Sequence, residues 1–335
     1  MAQDLGEAVR RRDFITVLGG AVVAGSVGLR AQQAGMPVIG FLHSASPDAY
    51  VSQLKAFHQT LKETGFVEGQ NVAIEYRWAE NQIDRLSALA GDLVRRKVSV
   101  ITAGGSPASA LAAKSATTTI PIVFANAADP VGVGLVASFN RPGGNVTGAT
   151  LLSAELVAKR LGILRDLLPS LKKIAMLVNP IRPGVDTQKV QVQEAAQALG
   201  LSLHILGASS EQDFDAVFQG VVRQEDGALV VAPDALFLVR RAQIADLAMR
   251  YRIPTMSELR EYVEAGGLVS YGASSAELYQ HGGTLTGQIL LGKKPADLPV
   301  LQPSKFELAI NMKTAKALGL TISSGLLSIA DELIE

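Results

Sequence analysis

Ser44, Ser46, Ser106, Asn126, Asn179 and Asp234 each follow a short apolar run and lie near the start of a helical or polar stretch. Serine hydroxyls and carboxamides at a helix start, beside its free N–H groups, suit a carboxylate. Asp234, in Ala-Pro-Asp, could pair with an ammonium group. Ser270-Tyr271 follows a further apolar run, so Tyr271 joins the set. Held between two such groups of residues, a ligand could be zwitterionic, and none of these side chains would need to react. The same residue types are ordinary N-caps, so capping without a ligand stays open for each of the serines, asparagines and Asp234, and a core role for Tyr271.

Catalytic signatures are nearly absent. There is no Gly-x-Ser-x-Gly, no His-Glu-x-x-His, no Walker loop and no cysteine, which removes thiolate chemistry and disulfides. His43, His58, His204 and His281 are far apart in sequence and fall on different elements, so a metal site or a triad would need tertiary contact. No catalytic residue, metal ligand or cofactor is expected. Gly132-Val-Gly-Leu-Val-Ala137 fits the loose dinucleotide pattern, but no strand leads directly into it and its carboxylate partner would be Glu155, beyond a glycine-rich segment. A loop with a short helix is the expectation there. Tyr76 and Trp78 could stack on a ligand or cover the edge of a lobe.

These residues need scaffolding, and the pattern of the chain supplies one. Short β-type runs alternate with stretches of helical period, as in α/β proteins built on parallel sheets. Strands are expected at 37–43, 71–77, 98–102 and 121–125, with helices at 49–64, 83–96 and from Ser106-Pro107, a serine N-cap with proline at the first helical position. Residues 140–150, Asn-Arg-Pro-Gly-Gly-Asn-Val-Thr-Gly-Ala-Thr, lose the helical period and read as a crossing between lobes. The rhythm then restarts, with helices at 153–168, 185–199, 211–223 and 236–250 and strands at 174–178, 201–206, 228–232 and 253–255. A strand at 267–272, a helix at 276–291 and a closing segment, 306–318, complete the chain, the last expected to return across the hinge. Glycines 143, 144, 148, 266, 267 and 272 are candidates for hinge freedom.

The chain carries 31 Lys and Arg against 31 Asp and Glu, with 48% hydrophobic residues, and its basic clusters are scattered. Such a balance gives no electrostatic reason to seek nucleic acid or an acidic membrane. Arg11-Arg12-Asp-Phe-Ile-Thr16, followed by an uncharged, glycine-rich stretch to Leu29, reads as a twin-arginine export signal, with a frayed basic helix as the alternative. Cleavage is expected near Ala31, placing a mature chain free in the periplasm. Its length suits two globular units of similar size.

Val38-Ile-Gly-Phe-Leu42, Gly69-Gln-Asn-Val-Ala-Ile-Glu-Tyr-Arg-Trp-Ala-Glu80, Pro121-Ile-Val-Phe124 with Asp129-Pro130, and Arg141-Pro-Gly-Gly-Asn-Val-Thr-Gly148 resemble the ABC-transporter substrate-binding proteins of the TrpX-like type. Phe306-Glu-Leu-Ala-Ile-Asn311 and Ala315-Lys-Ala-Leu-Gly-Leu320 fit as well. The resemblance implies an α/β fold of two doubly wound parallel-sheet lobes joined by a multi-segment hinge, the type I periplasmic binding protein arrangement. Expected boundaries are 1–31 for the signal peptide, 36–148 plus about 272–300 for the N-terminal lobe, and 149–271 plus about 301–335 for the C-terminal lobe. It also implies a non-enzyme, taken here as a monomer, that closes on a small solute, an amino acid or related carboxylate, and delivers it to a permease and ATPase of the inner membrane. A periplasmic sensor handing its ligand state to a membrane kinase or receptor shares that fold and is the alternative. An exported hydrolase is a third reading.

Overall fold

This computed structural model describes residues 35–151 and 154–335. The expected export signal and its cleavage position lie outside them. Chain order begins β1 (Val38–His43), α1 (Val51–Glu63), β2 (Ala73–Trp78), α2 (Leu86–Arg95), β3 (Val100–Gly105), α3 (Pro107–Ala116), β4 (Ile122–Asn126) and β5 (Val146–Thr150). The five strands form one parallel sheet in the order β2-β1-β3-β4-β5. The inner strands β1, β3 and β4 are covered on both faces and read as near-continuous apolar runs, whereas the edge strand β2 is half-buried and carries Glu75 and Arg77. Ile39 and Phe41 pack with Phe57 and Leu61 of α1 on one face, while Leu42 and Ile101 pack with Leu86 and Leu93 on the other. Each such side chain, fully buried, contributes roughly 1.5–3 kcal/mol.

The second series runs α4 (Ala154–Leu167), β6 (Lys173–Val178), α5 (Val185–Ala198), β7 (Ser202–Gly207), α6 (Phe214–Arg223), β8 (Leu229–Val231), α7 (Ala235–Val239), α8 (Arg241–Tyr251), β9 (Thr255–Ser257), α9 (Arg260–Glu264) and β10 (Val269–Ala273). After α10 (Ser275–Leu290) come β11 (Phe306–Asn311), α11 (Met312–Leu318), α12 (Ser324–Ile329) and β12 (Glu332–Ile334). The second sheet has the order β12-β11-β10-β9-β8-β6-β7, parallel except for the β10–β11 pair. Its inner strand β6 also buries two faces. Ile174, Met176 and Val178 of β6 belong to one apolar cluster, and Ala175 and Leu177 to another.

Although β10 and β11 are partners in the second sheet, the segment between them lies on the first. Helix α10 packs against α1, β3, β4 and β5, and its Thr286 hydroxyl meets that of Thr102 at 2.9 Å. Thr147 Oγ1 donates to the Leu298 carbonyl at 2.8 Å, and Leu301 bridges to Ala149. The chain therefore passes between the two sheets after β5, after β10 and before β11. No helix among the described residues is long and apolar enough to cross a membrane.

Several expectations are corrected. Residues 146–150, read as part of a crossing, form β5, every residue of it buried, and the boundary expected at 148/149 falls inside that strand. The apolar signal is weak because β5 is built from small residues. A Cβ on Gly148 would strike the Phe124 carbonyl, so this glycine serves a close approach of strands and not a hinge. The helix expected over 236–250 breaks at Arg240 into α7 and α8, and the strand expected at 253–255 forms at Thr255–Ser257. The segment after Asp129 is a run of turns without the expected short helix. Elements α9, α12 and β12 were not expected.

Candidate functional site

Open α/β sheets bind ligands where the strand order reverses, beyond the carboxyl ends of the strands. In the first sheet that point lies between β1 and β3, whose ends carry His43-Ser44 and Gly105-Ser106. Ser44 is fully buried, and its hydroxyl accepts the Ser106 N–H at 2.9 Å. Ser106 caps α3, accepting the Ala108 N–H at 3.3 Å. Gly105 has φ +81°, and a Cβ there would collide with the Ser44 hydroxyl and the His43 ring. Only glycine lets the two strand ends approach this closely.

In the second sheet the reversal lies between β6 and β8, which end in Asn179 and Pro233-Asp234. Asn179 Nδ2 donates to Asp234 Oδ1 at 3.2 Å, and Asp234 caps α7 by accepting the Leu236 N–H at 2.9 Å. Burial pushes the Asp234 carboxyl above the usual carboxylate range. The charge of Arg182 and hydrogen bonds from Asn179, Leu236 and Phe237 oppose that shift.

Both reversal points open on the same space. A recess of about 400 Å³ has Ser106 and Ala108 of the first sheet's loops on one side and Asn179, Ser209 and Asp234 on the other. A neighbouring recess of about 450 Å³ is lined by Tyr50, Gly105, Asn126, Asp234, Leu238 and Tyr279. Arg182 borders both, and also a third recess of about 560 Å³ reaching Asp129, Arg160, Gln188 and Glu258. Arg182 is buried, and its Nη2 donates to the carbonyl of Ala127, just beyond β4, while Nη1 meets Gln188 Oε1 at 3.4 Å. That bond ties the loop after β6 to the loop after β4. Burial lowers the Arg182 pKa, opposed by Asp234 and Glu258.

Further in, Arg160 and Glu258 form a buried ion pair at 3.0 Å, and Arg160 Nε donates to the Tyr271 carbonyl at 2.7 Å. The recesses thus carry Arg160 and Arg182 against Asp234 and Glu258, a balanced set that suits a zwitterion better than a net charge.

Behind the 450 Å³ recess lies an aromatic cluster around His43. Its ring is fully buried, with centroids 4.2 Å from Tyr50 and 4.7 Å from Trp78. Nδ1 accepts the Ala45 N–H at 3.1 Å and Nε2 lies 2.7 Å from the Tyr279 hydroxyl. Burial lowers the His43 pKa to about 3, so the ring is neutral at physiological pH. Asn126 Oδ1 accepts the Ala128 N–H at 3.1 Å, while its buried Nδ2 has no hydrogen-bond partner.

Of the residues singled out from sequence, Ser106, Asn126, Asn179 and Asp234 line the recesses, and Ser44 supports Ser106 from behind. Ser46 is half-buried at the start of a 3₁₀ turn and makes no side-chain cap. Tyr271 is a correction: its side chain packs on the apolar cluster of the second sheet, and only its carbonyl meets a residue of the recesses. Tyr76 bonds His58 and Glu68, and Trp78 packs on Phe41 and His43; neither borders the recesses described. The histidines lie apart, His204 beside Asp226 and His281 near Glu277. Sequence reasoning missed Arg182, Tyr50 and Tyr279. Arg182 had one local signal, a cation between Pro180 and Pro183 in a strand-to-helix loop, whereas Tyr279 sits inside an ordinary helical pattern.

A family model described as ABC transporter substrate binding protein matches residues 38–334. A tyrosine-binding protein from Clostridioides difficile (strain R20291) is 30% identical over 265 residues, 79% of this chain and 75% of that protein. The solved structure of an ABC domain in complex with L-Trp from Streptococcus pneumonia is 25% identical and superimposes with a TM-score of 0.83, covering 90% of this chain and 100% of the other. A ligand-free, open substrate-binding protein with adhesive properties from Clostridium difficile is 26% identical, with a TM-score of 0.65 over 89% of this chain and 99% of that one. At nearly equal identity, the chain lies closer in shape to the ligand-bound structure than to the open one.

Proposed function

The chain belongs to the ABC transporter substrate-binding protein family, with the two-lobed α/β fold of type I periplasmic binding proteins, and from that premise we propose that it captures an aromatic L-amino acid in the cleft between its sheets. The observation that carries this reading is the convergence of Ser106 and Asn126 from one sheet with Asn179 and Asp234 from the other on adjoining recesses that Arg182 borders. Asp234 meets the ammonium group, and Tyr50, Leu238, Leu259 and Leu278 receive the apolar side chain. The names of the tyrosine-binding relative and the L-Trp complex support an aromatic amino acid.

In this reading the protein is exported through the signal at 11–31, acts in the periplasm as a monomer, and delivers its solute to a permease driven by an ATPase. The lobes comprise residues 37–151 with about 275–301, and about 154–273 with about 306–334. The Arg182–Ala127 bond belongs to the closed, solute-holding arrangement, and the resemblance in shape to the L-Trp complex supports that state. Closure is what a permease reads, since both lobes are oriented correctly only around bound solute. No covalent step is asked of any side chain.

Calorimetric titration of the protein, unfolded and refolded to strip retained solute, with L-tyrosine, L-tryptophan, L-leucine and benzoate tests the reading. Saturable binding of an aromatic amino acid is expected, while selective binding of benzoate would replace the amino-acid reading with an aromatic-acid one.

A further inference from the structure

We propose that Asn126 and Tyr279 form a two-donor cradle for the carboxylate of the solute, and that His43 is the positioning residue that turns the Tyr279 hydroxyl proton toward it. The inference rests on the solute-binding reading above and fixes which end of the solute meets which sheet.

The argument for Asn126 is one of amide orientation. A backbone N–H, that of Ala128, is bound by Oδ1, and this assigns the oxygen and nitrogen ends of the side chain. Nδ2 is then the end left over. It is buried without a partner on a residue 1% exposed that lines the 450 Å³ recess. A buried donor left without a partner is destabilising, and an acceptor arriving in the recess would relieve that cost.

For Tyr279 the argument runs through the histidine tautomer. Nδ1 of His43 accepts the Ala45 N–H, so that nitrogen carries no proton. A neutral ring then holds its proton on Nε2, which donates to the Tyr279 oxygen at 2.7 Å. The Tyr279 hydroxyl cannot donate back to Nε2. The Gly105 N–H also donates to the Tyr279 oxygen, so both of these neighbours are donors and the hydroxyl's own proton is directed elsewhere; the side chain, 2% exposed, borders the same recess as Asn126. Two neutral donors fixed by their surroundings therefore line one recess, the arrangement a carboxylate's paired oxygens need. Arg182 is already engaged by Ala127 and Gln188. With Asp234 in the second sheet taking the ammonium group, the solute is polarised across the cleft, acid end to the first sheet and amine end to the second.

Titration of wild type, Tyr279→Phe and Asn126→Asp with L-tyrosine and with tyramine, which lacks the carboxylate, tests the cradle. Tyr279→Phe should weaken L-tyrosine about 10- to 100-fold and leave tyramine nearly unchanged. Asn126→Asp keeps the acceptor for Ala128 but puts an anion where a donor stood, and should weaken L-tyrosine more than tyramine. Tight L-tyrosine binding by both variants, or tighter L-tyrosine binding by Asn126→Asp, would overturn the cradle while leaving the solute-binding reading intact. Failure of folded wild type to bind any amino acid would overturn both. The positioning role is read by ¹⁵N NMR of histidine-labelled protein. A neutral His43 protonated on Nε2 from about pH 5 to pH 8 is expected; protonation on Nδ1 would overturn the role, because Tyr279 would then donate to the ring.

Discussion

Asn179 and Asp234, 55 residues apart, are joined by a hydrogen bond of 3.2 Å at the point where the order of the second sheet reverses. The bond uses one lone pair of a carboxylate that also caps α7, so Asp234 is held in place by the fold and aimed into the cleft. Replacing it with asparagine retains a capping residue and removes the charge. Asp234→Asn should keep its melting temperature within a few degrees and lose roughly 1.5–3 kcal/mol of affinity for an amino acid. Calorimetry checks both, and unchanged affinity would make Asp234 a cap alone.

Because burial raises the Asp234 pKa, the same carboxylate should set the acid limit of the proposed binding. The ammonium group needs the ionised form, so affinity should fall as pH drops through a pKa lying above the ordinary aspartate value of 3.8. Asp234→Asn should flatten that limb of the pH profile.

His43 links pH to stability in the sense of a depressed folded pKa. The unfolded ring takes a proton below about 6.5, and the buried ring does not until about pH 3. Between those values the unfolded state binds more protons, so stability falls with acidification by up to about 1.4 kcal/mol per pH unit. Urea midpoints of wild type and His43→Gln should therefore converge as pH is lowered from 7 toward about 4. A difference independent of pH would mean that the His43 ring is solvated, and one that widened on acidification would mean that it is paired as a cation.

Arg160 and Glu258 give a prediction about the interior. Arg160→Met leaves a buried carboxylate beside the third recess and should cost about 3–5 kcal/mol in urea denaturation. The double variant Arg160→Met, Glu258→Met should recover most of that loss. Equal destabilisation of both variants would assign the cost to packing.

Arg182 holds the two loop systems together. Arg182→Met should weaken solute binding by about tenfold or more and lower the compaction seen by small-angle scattering when solute is added. Undiminished compaction would show that closure depends on the solute alone.

The polar residues after strands were legible because a strand followed by a serine, asparagine or aspartate can be read locally, and four of them, Ser106, Asn126, Asn179 and Asp234, do meet around the cleft. Tyr271 misled because its strand is an interior one whose side chain points into a covered face. Tyr279 was illegible for a topological reason: α10 follows a strand of the second sheet yet packs on the first, and nothing in its period announces that return. Strand β5 was missed because its glycine, threonines and alanine satisfy a tight approach to β4 and carry little hydrophobic signal.

Trp78 is the single tryptophan and packs against His43, directly behind the proposed carboxylate cradle. The most direct test of solute capture is a titration of refolded, solute-free protein with L-tyrosine, followed by heat release and by Trp78 emission. One-to-one saturable binding, with both signals reporting the same constant, is the expected result. Folded protein that takes up no amino acid by either signal would contradict the account.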